Sequence, residues 1–151
     1  MLKTILSLSR FSILIIFLFF FSSAIPPGGG LTDDILKYTN DYRRAKGLVN
    51  LELRSDLNNI ARSHSEDMAK GKRSFGHGGF DQRVVKVKKI FKSCSVAENV
   101  AYGANNAKEV FGIWKKSSDH RKNMLGNYRY IGIGTAKSKQ GVIYYTEIFV
   151  R

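Results

Sequence analysis

The sequence predicts an α/β fold in which amphipathic helices pack on a small antiparallel sheet. Three observations carry this reading. Apolar residues recur at helical spacing through the middle of the chain, as in Ala107, Val110, Phe111 and Trp114. The period then changes: Tyr130-Ile-Gly-Ile-Gly-Thr135 and the run from Val142 to Val150 read as strands, joined by the polar turn Lys137 to Gly141. A two-stranded hairpin is too small to be stable alone, so the helices must cover it.

Residues 1–24 are expected to stand outside this fold. Lys3 and Arg10 precede the apolar run Phe11 to Phe21, and Ser22-Ser-Ala24 follows with the small residues a signal peptidase reads. The run is shorter than the ~20 residues of a membrane span. A secretory signal peptide cleaved after Ala24, leaving no transmembrane anchor, is the expectation. Ile25-Pro-Pro-Gly-Gly-Gly30 is a flexible lead-in, and residues 31–151 form one domain.

In the first helix, Thr32 is the expected cap, with Asp33 and Asp34 in the dipole-favoured first turn. Ile35, Tyr38, Tyr42 and Ala45 share a face, and Gly47 ends the helix behind Arg43, Arg44 and Lys46. Leu48, Leu51 and Leu53 read as an extended linker. Ser55 or Asp56 opens a second helix with Leu57, Ile60, Ala61, His64 and Met68 as its buried stripe, ended by Gly71. His64 is read there as a packed, hydrogen-bonded ring. Phe75 to Gly79 is a glycine-rich loop. Asp81 opens a short basic helix carrying Val84, Val85 and Val87, whose valines are read as covering core. After the helix that ends near Trp114, Ser117 or Ser118 caps a short helix from about Asp119.

The whole chain of 151 residues carries 25 basic and 12 acidic side chains. Removing Lys3 and Arg10 leaves 23 against 12, a net charge of +11. Outside a cell such a charge suits anionic surfaces, whether lipid headgroups or acidic wall polymers. No zinc-finger spacing or arginine-rich tail supports nucleic-acid binding. The single cysteine, Cys94, cannot form an internal bridge. It is either a buried small hydrophobe or a pairing site between chains, and a monomer is expected.

The motifs together resemble the CAP superfamily of cysteine-rich secretory, antigen 5 and pathogenesis-related group 1 proteins. They are Asn40-Asp-Tyr-Arg43, Leu57-x-x-x-Ala61 with Met68-Ala69, and Phe75-Gly-His77. The series continues with Ala97-Glu-Asn-Val100, Trp114-x-x-Ser-Ser-x-His120-Arg-x-Asn-Met-Leu125, Ile131-Gly-Ile-Gly134 and Tyr145-Thr-Glu-Ile-Phe149. The likeness spans about Leu31 to Phe149 and is nearest the disulfide-free, bacterial-type branch. It implies a three-layer α-β-α sandwich with a third strand around Glu98 to Ala101.

The resemblance also implies a central cleft with two histidines and two glutamates. His77, Glu98 and His120 match three of these positions, while Ser117 stands where the second glutamate falls. The last strand of the family often carries glutamine where this chain has Glu147. Two imidazoles make a thin zinc site, because protein zinc sites usually have three or four ligands. Glu98 either completes the set or orients an imidazole from behind, so at most weak zinc or other divalent-cation affinity is expected and no cofactor is required. Neither Ser117 nor Ser118 lies in a nucleophile elbow, and Cys94 has no histidine partner in view. The reading is a secreted, non-enzymatic binding module for a lipid, sterol, glycan or anionic surface. The competing class is a metal-assisted or histidine-based hydrolase in the same cleft, with Glu147 replacing the charge missing at Ser117.

Export is directly testable. N-terminal sequencing of protein recovered from the medium is expected to begin near Ile25; the intact apolar run in a membrane pellet would overturn the signal-peptide reading.

Overall fold

The structure is a computed structural model that describes residues 30–151. The expected signal peptide, and the expected lead-in as far as residue 29, lie outside the described residues. The elements run α1 (Leu31–Arg44), β1 (Glu52–Leu53), α2 (Ser55–Ala69), α3 (Phe80–Ile90), β2 (Val96–Tyr102), α4 (Ala107–Lys116), α5 (Ser118–Met124), β3 (Tyr130–Lys137) and β4 (Ile143–Val150).

Four strands form one sheet in the order β1-β3-β4-β2. β3 and β4 make the expected hairpin, and β2 pairs antiparallel with β4 from Val96 opposite Val150 to Tyr102 opposite Tyr144. Helices cover both faces, α1, α4 and α5 on one and α2 and α3 on the other. This is a three-layer α-β-α sandwich. One correction concerns the sheet, which is not purely antiparallel: Glu52 and Leu53, read as linker, pair in parallel with Tyr130 and Ile131. Two residues are too few to show a period, so the strand was invisible in the sequence.

The Ile-Gly-Ile-Gly run explains how the layers meet. Ile131 and Ile133 point into the core shared with α1, α4 and α5, where Trp114, Tyr145 and Phe149 also lie. Gly132 and Gly134 face α2 on the other side of the strand. A Cβ on Gly132 would lie 2.4 Å from the Leu57 carbonyl carbon, and one on Gly134 would lie 2.0 Å from the Arg62 nitrogen. The α2 backbone therefore rests directly on β3. Polar side chains of α2 serve the same contact: Asn58 Oδ1 accepts from the Ile133 N–H at 2.8 Å, and Ser65 donates to the Gly134 carbonyl at 3.0 Å.

α1 departs from the expected pattern at both ends. Its N-cap is Gly30, not Thr32, and Asp33 reaches back to accept from the Gly30 N–H at 3.1 Å. Ala45 is exposed, and Arg43 is buried in its place. Asn40 exchanges hydrogen bonds with the Leu51 backbone at 3.0 and 2.8 Å, as a neighbouring strand would. Arg43 donates to the carbonyls of Val49, Met124 and Gly126 at 2.7–2.9 Å. The bonds to Met124 and Gly126 satisfy carbonyls that the end of α5 would otherwise leave unpaired.

β2 is a sheet edge, and its outer side is sealed by side chains. The fully buried Trp114 donates from its indole nitrogen to the Val100 carbonyl at 3.3 Å. Asn123 donates to the Glu98 carbonyl at 3.2 Å. On α3, Val87 is buried, Val84 half-buried and Val85 exposed, so one valine of the three covers core fully. Cys94 is free and half-buried beside the α2–α3 core.

Gly134→Ala forces the α2 backbone off the sheet and is expected to cost about 2–3 kcal/mol, read as a lower urea midpoint at unchanged slope. An unchanged midpoint would show that the layers have slack at this contact. A reducing agent is expected to leave the melting temperature of the monomer unchanged, since no loop-closing bond is lost. A covalent dimer on a non-reducing gel would instead make Cys94 a pairing site.

Candidate functional site

The candidate cleft lies beside the edge strand β2. It measures about 300 Å³ and is lined by His77, Phe80, Val96, Ala97, Glu98 and Asn123. Its centre is an ionic triad. The Glu98 side chain is only 1% exposed, while that of His77 is 52% exposed. Glu98 Oε1 accepts from His77 Nδ1 at 2.9 Å. Arg83 closes on the same carboxylate from α3, with Nε to Oε2 at 2.5 Å and Nη2 to Oε1 at 2.7 Å. The two parallel bonds form a bidentate guanidinium–carboxylate pair, a strong charge-assisted arrangement.

Arg83 does more than neutralise Glu98. Its Nη1 donates to the Gly78 carbonyl at 2.9 Å, so the guanidinium also grips the loop that carries His77. His64 holds the same loop from beneath. It is 2% exposed, and its Nε2 bonds the Gly76 carbonyl at 2.9 Å. A carbonyl can only accept, so Nε2 carries the proton. Burial and the Arg83 charge lower the pKa of His64 and favour this neutral tautomer. The loop geometry thus fixes the Nδ1 edge of His77 on Glu98 and leaves Nε2 as the nitrogen available to a ligand.

His120 sits at the start of α5. Ser117 caps that helix, its Oγ accepting from the His120 N–H at 3.5 Å. The His120 carbonyl accepts from Asn99 at 3.2 Å. Burial lowers the His120 pKa, and the nearby positive charge of His77 lowers it further against the opposing Asp119. Its Nδ1 is buried with no hydrogen-bond partner. Both pKa effects favour the neutral form of His120, which does not line the 300 Å³ cleft itself.

Two expected accessory residues have other duties. Ser117 is a helix cap. Glu147 is fully buried on the opposite face of the sheet, where Asn99 donates to Oε2 at 3.1 Å and Thr39 lies 3.4 Å from Oε1. Burial raises its pKa to about 8 against the weaker opposing effect of these two bonds. A protonated Glu147 offers one donor and one acceptor, the same pattern as a glutamine. It does not restore the charge missing at Ser117.

Among the described residues no group of three or more His, Cys, Asp or Glu side chains is placed to hold a metal ion. Both Glu98 oxygens are already engaged by Arg83 and His77. The donor set therefore reduces to two imidazoles, and it does not fit a firm zinc site.

Fold and site together define a CAP domain, and the comparisons agree. Residues 36–149 match the cysteine-rich secretory protein family, CAP, and the chain belongs to that family. It is 34% identical over 108 residues to the uncharacterized protein YkwD of Bacillus subtilis strain 168, covering 69% of this chain and 42% of that protein. An extracellular SCP-domain protein of Bacillus anthracis superposes with a TM-score of 0.69 at 24% identity, covering 81% of this chain and 40% of the other. A cysteine-rich secretory protein of Staphylococcus aureus gives 0.64 at 25%, covering 83% and 40%. The chain spans less than half the length of these relatives. Among the described residues no helix is long and apolar enough to cross a membrane.

Of the three residues expected to share one cleft, His77 and Glu98 meet at 2.9 Å while His120 does not line it, and sequence reasoning missed Arg83, which reads as one cation among many on a basic helix. Replacing it by Met strands a buried carboxylate and is expected to cost about 3 kcal/mol. Arg83→Met with Glu98→Gln should recover more than half of that, because the stranded charge is gone. Equal losses in the single and double variants would contradict the ion-pair account. Glu147 supplies a pH test. Its ordinary value is 4.5 and its folded value about 8, so the folded state binds the extra proton between them. Stability should fall as pH rises across that window. Glu147→Gln should flatten the profile in unfolding measurements from pH 5 to 8, whereas an unaltered slope would place the titration elsewhere.

Proposed function

We propose that this chain is a secreted, non-enzymatic CAP-type binding module that associates with anionic lipid surfaces through its basic exterior. In this reading the His77–Glu98–Arg83 cleft takes a polar or hydroxylated group of the ligand. The observation that carries the proposal is the saturation of Glu98. A carboxylate held by a bidentate arginine and an imidazole is a positioning group, with no oxygen free to ligate a metal or activate water. His77 Nε2 is left to exchange a hydrogen bond with a ligand hydroxyl, accepting it when neutral and donating when protonated. Hydrolysis lacks support because, among the described residues, no serine or cysteine side chain is hydrogen-bonded to a histidine ring, as acyl transfer needs. The net charge of +11 without the first 24 residues supplies long-range attraction to anionic headgroups.

The same donor count supports at most weak zinc binding, through His77 and His120. Calorimetric titration with zinc is expected to give a dissociation constant no tighter than about 10 μM, some 7 kcal/mol of binding free energy. Cosedimentation should recover the protein with phosphatidylglycerol vesicles, declining with salt, and leave it in solution with phosphatidylcholine. Tight stoichiometric zinc binding that vanishes in His77→Ala/His120→Ala, coupled to turnover of peptide or ester substrates, would replace this reading with the hydrolase.

A further inference from the structure

Between α2 and α3 lies a small polar cavity of about 40 Å³, with His64, Asp67, Arg73, Gln82, Arg83 and Lys86 among its lining residues. That is room for a water or a monatomic ion, and too little for an organic ligand. His64 brings an unmet demand to it. The Nε2 proton is spent on the Gly76 carbonyl, while Nδ1 is buried with no hydrogen-bond partner among the described residues. A buried ring nitrogen left unpaired is costly, so this edge of the ring requires an occupant from solvent.

The charges around the cavity name that occupant. Arg73 is laid across a loop glycine: its Nη1 would stand 2.8 Å from a Cβ on Gly79, where φ is +75°, and its Nη2 donates to Gln82 Oε1 at 2.9 Å. Each guanidinium at the cavity has one carboxylate. Arg73 meets Asp67 of α2 loosely at 3.7 Å, and Arg83 meets Glu98 of β2 at 2.5 Å. Lys86 of α3 has no ion-pair partner among the described residues. Glu147 of β4 lies on the other face of the sheet. Three cations therefore stand against two carboxylates. A proton on Nδ1 would add a fourth positive charge and turn the ring edge into a donor. Burial, then Arg83 and Arg73, hold the His64 pKa down against the Gly76 bond and Glu98. The proton stays only if negative charge accompanies it.

We propose that this cavity is a site for one chloride-sized monovalent anion, bound together with a proton on His64 Nδ1. The protonated ring edge donates to the anion, and the charges of Arg73 and Lys86 stabilise it from the solvent side. Anion and solvent proton enter as a pair, so the net charge of the site is unchanged and no bond of the chain is broken. The Nε2 bond to Gly76 persists in both states, so the loop keeps its place. With a neutral ring, a water fills the cavity and donates to Nδ1. The site is independent of the ligand reading of the His77 cleft.

The probe is bromide, soaked into crystals of the purified protein at pH 5 and at pH 8. One anomalous peak within hydrogen-bond distance of His64 Nδ1 is expected at pH 5 and none there at pH 8. Equal occupancy at both pH values would show that the proton is not required. Peaks on surface lysines alone would mean an adventitious ion only. Either result, or no peak at all, overturns the inference. Solution measurements test the coupling separately. The His64 titration, followed by imidazole NMR, should move to higher pH in sodium chloride than in sodium gluconate at equal ionic strength. With chloride in tenfold excess over its dissociation constant, the midpoint should rise by about 1 pH unit. Lys86→Gln, at an exposed position, should weaken chloride binding about threefold. A midpoint shared by the two salts, or a Lys86→Gln protein as responsive to chloride as the native one, would contradict the proposal.

Discussion

Glu98 is a carboxylate taken almost wholly out of water on an edge strand, and such a group must be given counter-charge and hydrogen bonds or it will not stay charged. Here three elements meet that demand. β2 supplies the glutamate, α3 supplies Arg83 and the α2–α3 loop supplies His77. The same guanidinium bonds the Gly78 carbonyl, and His64 bonds that of Gly76. The loop therefore owes its position to the ion pair, and the exposed edge of His77 owes its orientation to the loop.

The segment from Trp114 to Leu125 performs the matching task on the other side of β2. An unpaired strand edge is a liability. Trp114 and Asn123 cover it by donating to the Val100 and Glu98 carbonyls. Arg43 in turn holds the end of α5 from α1. A further network, Thr39–Glu147–Asn99, runs behind the edge and reaches the His120 carbonyl through Asn99. The histidines thus rest on buried polar networks that Arg83, His64, Asn99 and Asn123 tie to backbone.

Much of this was legible in the sequence because the relevant signals are local. Helical spacing placed α2 and α4, and the alternation in Ile131-Gly-Ile-Gly134 marked a strand with one face of side chains and one without. His64 was recognisable as a packed ring because it fell on the buried stripe of its helix. What stayed hidden depends on pairing between distant residues. Arg83 and Glu98 are separated by 15 positions, and Arg43 meets the Met124 and Gly126 carbonyls more than 80 residues away. In both cases a long cation near solvent-facing lysines gives no local hint of burial. Glu147 misled for a different reason. Its charge is counted in the sequence but suppressed in the fold, where burial makes it the hydrogen-bonding equivalent of glutamine.

The central claim is that Arg83 and Glu98 fix one tautomer of His77 and present its Nε2 outward. Long-range nitrogen–proton correlation spectra of the imidazole rings at pH 8 read this directly, because protonated and unprotonated ring nitrogens resonate far apart. The account predicts an Nδ1-protonated His77 beside an Nε2-protonated His64, with the His77 pattern scrambled by Arg83→Met. A His77 ring protonated at Nε2 in the native protein, or a tautomer indifferent to the loss of Arg83, would contradict it.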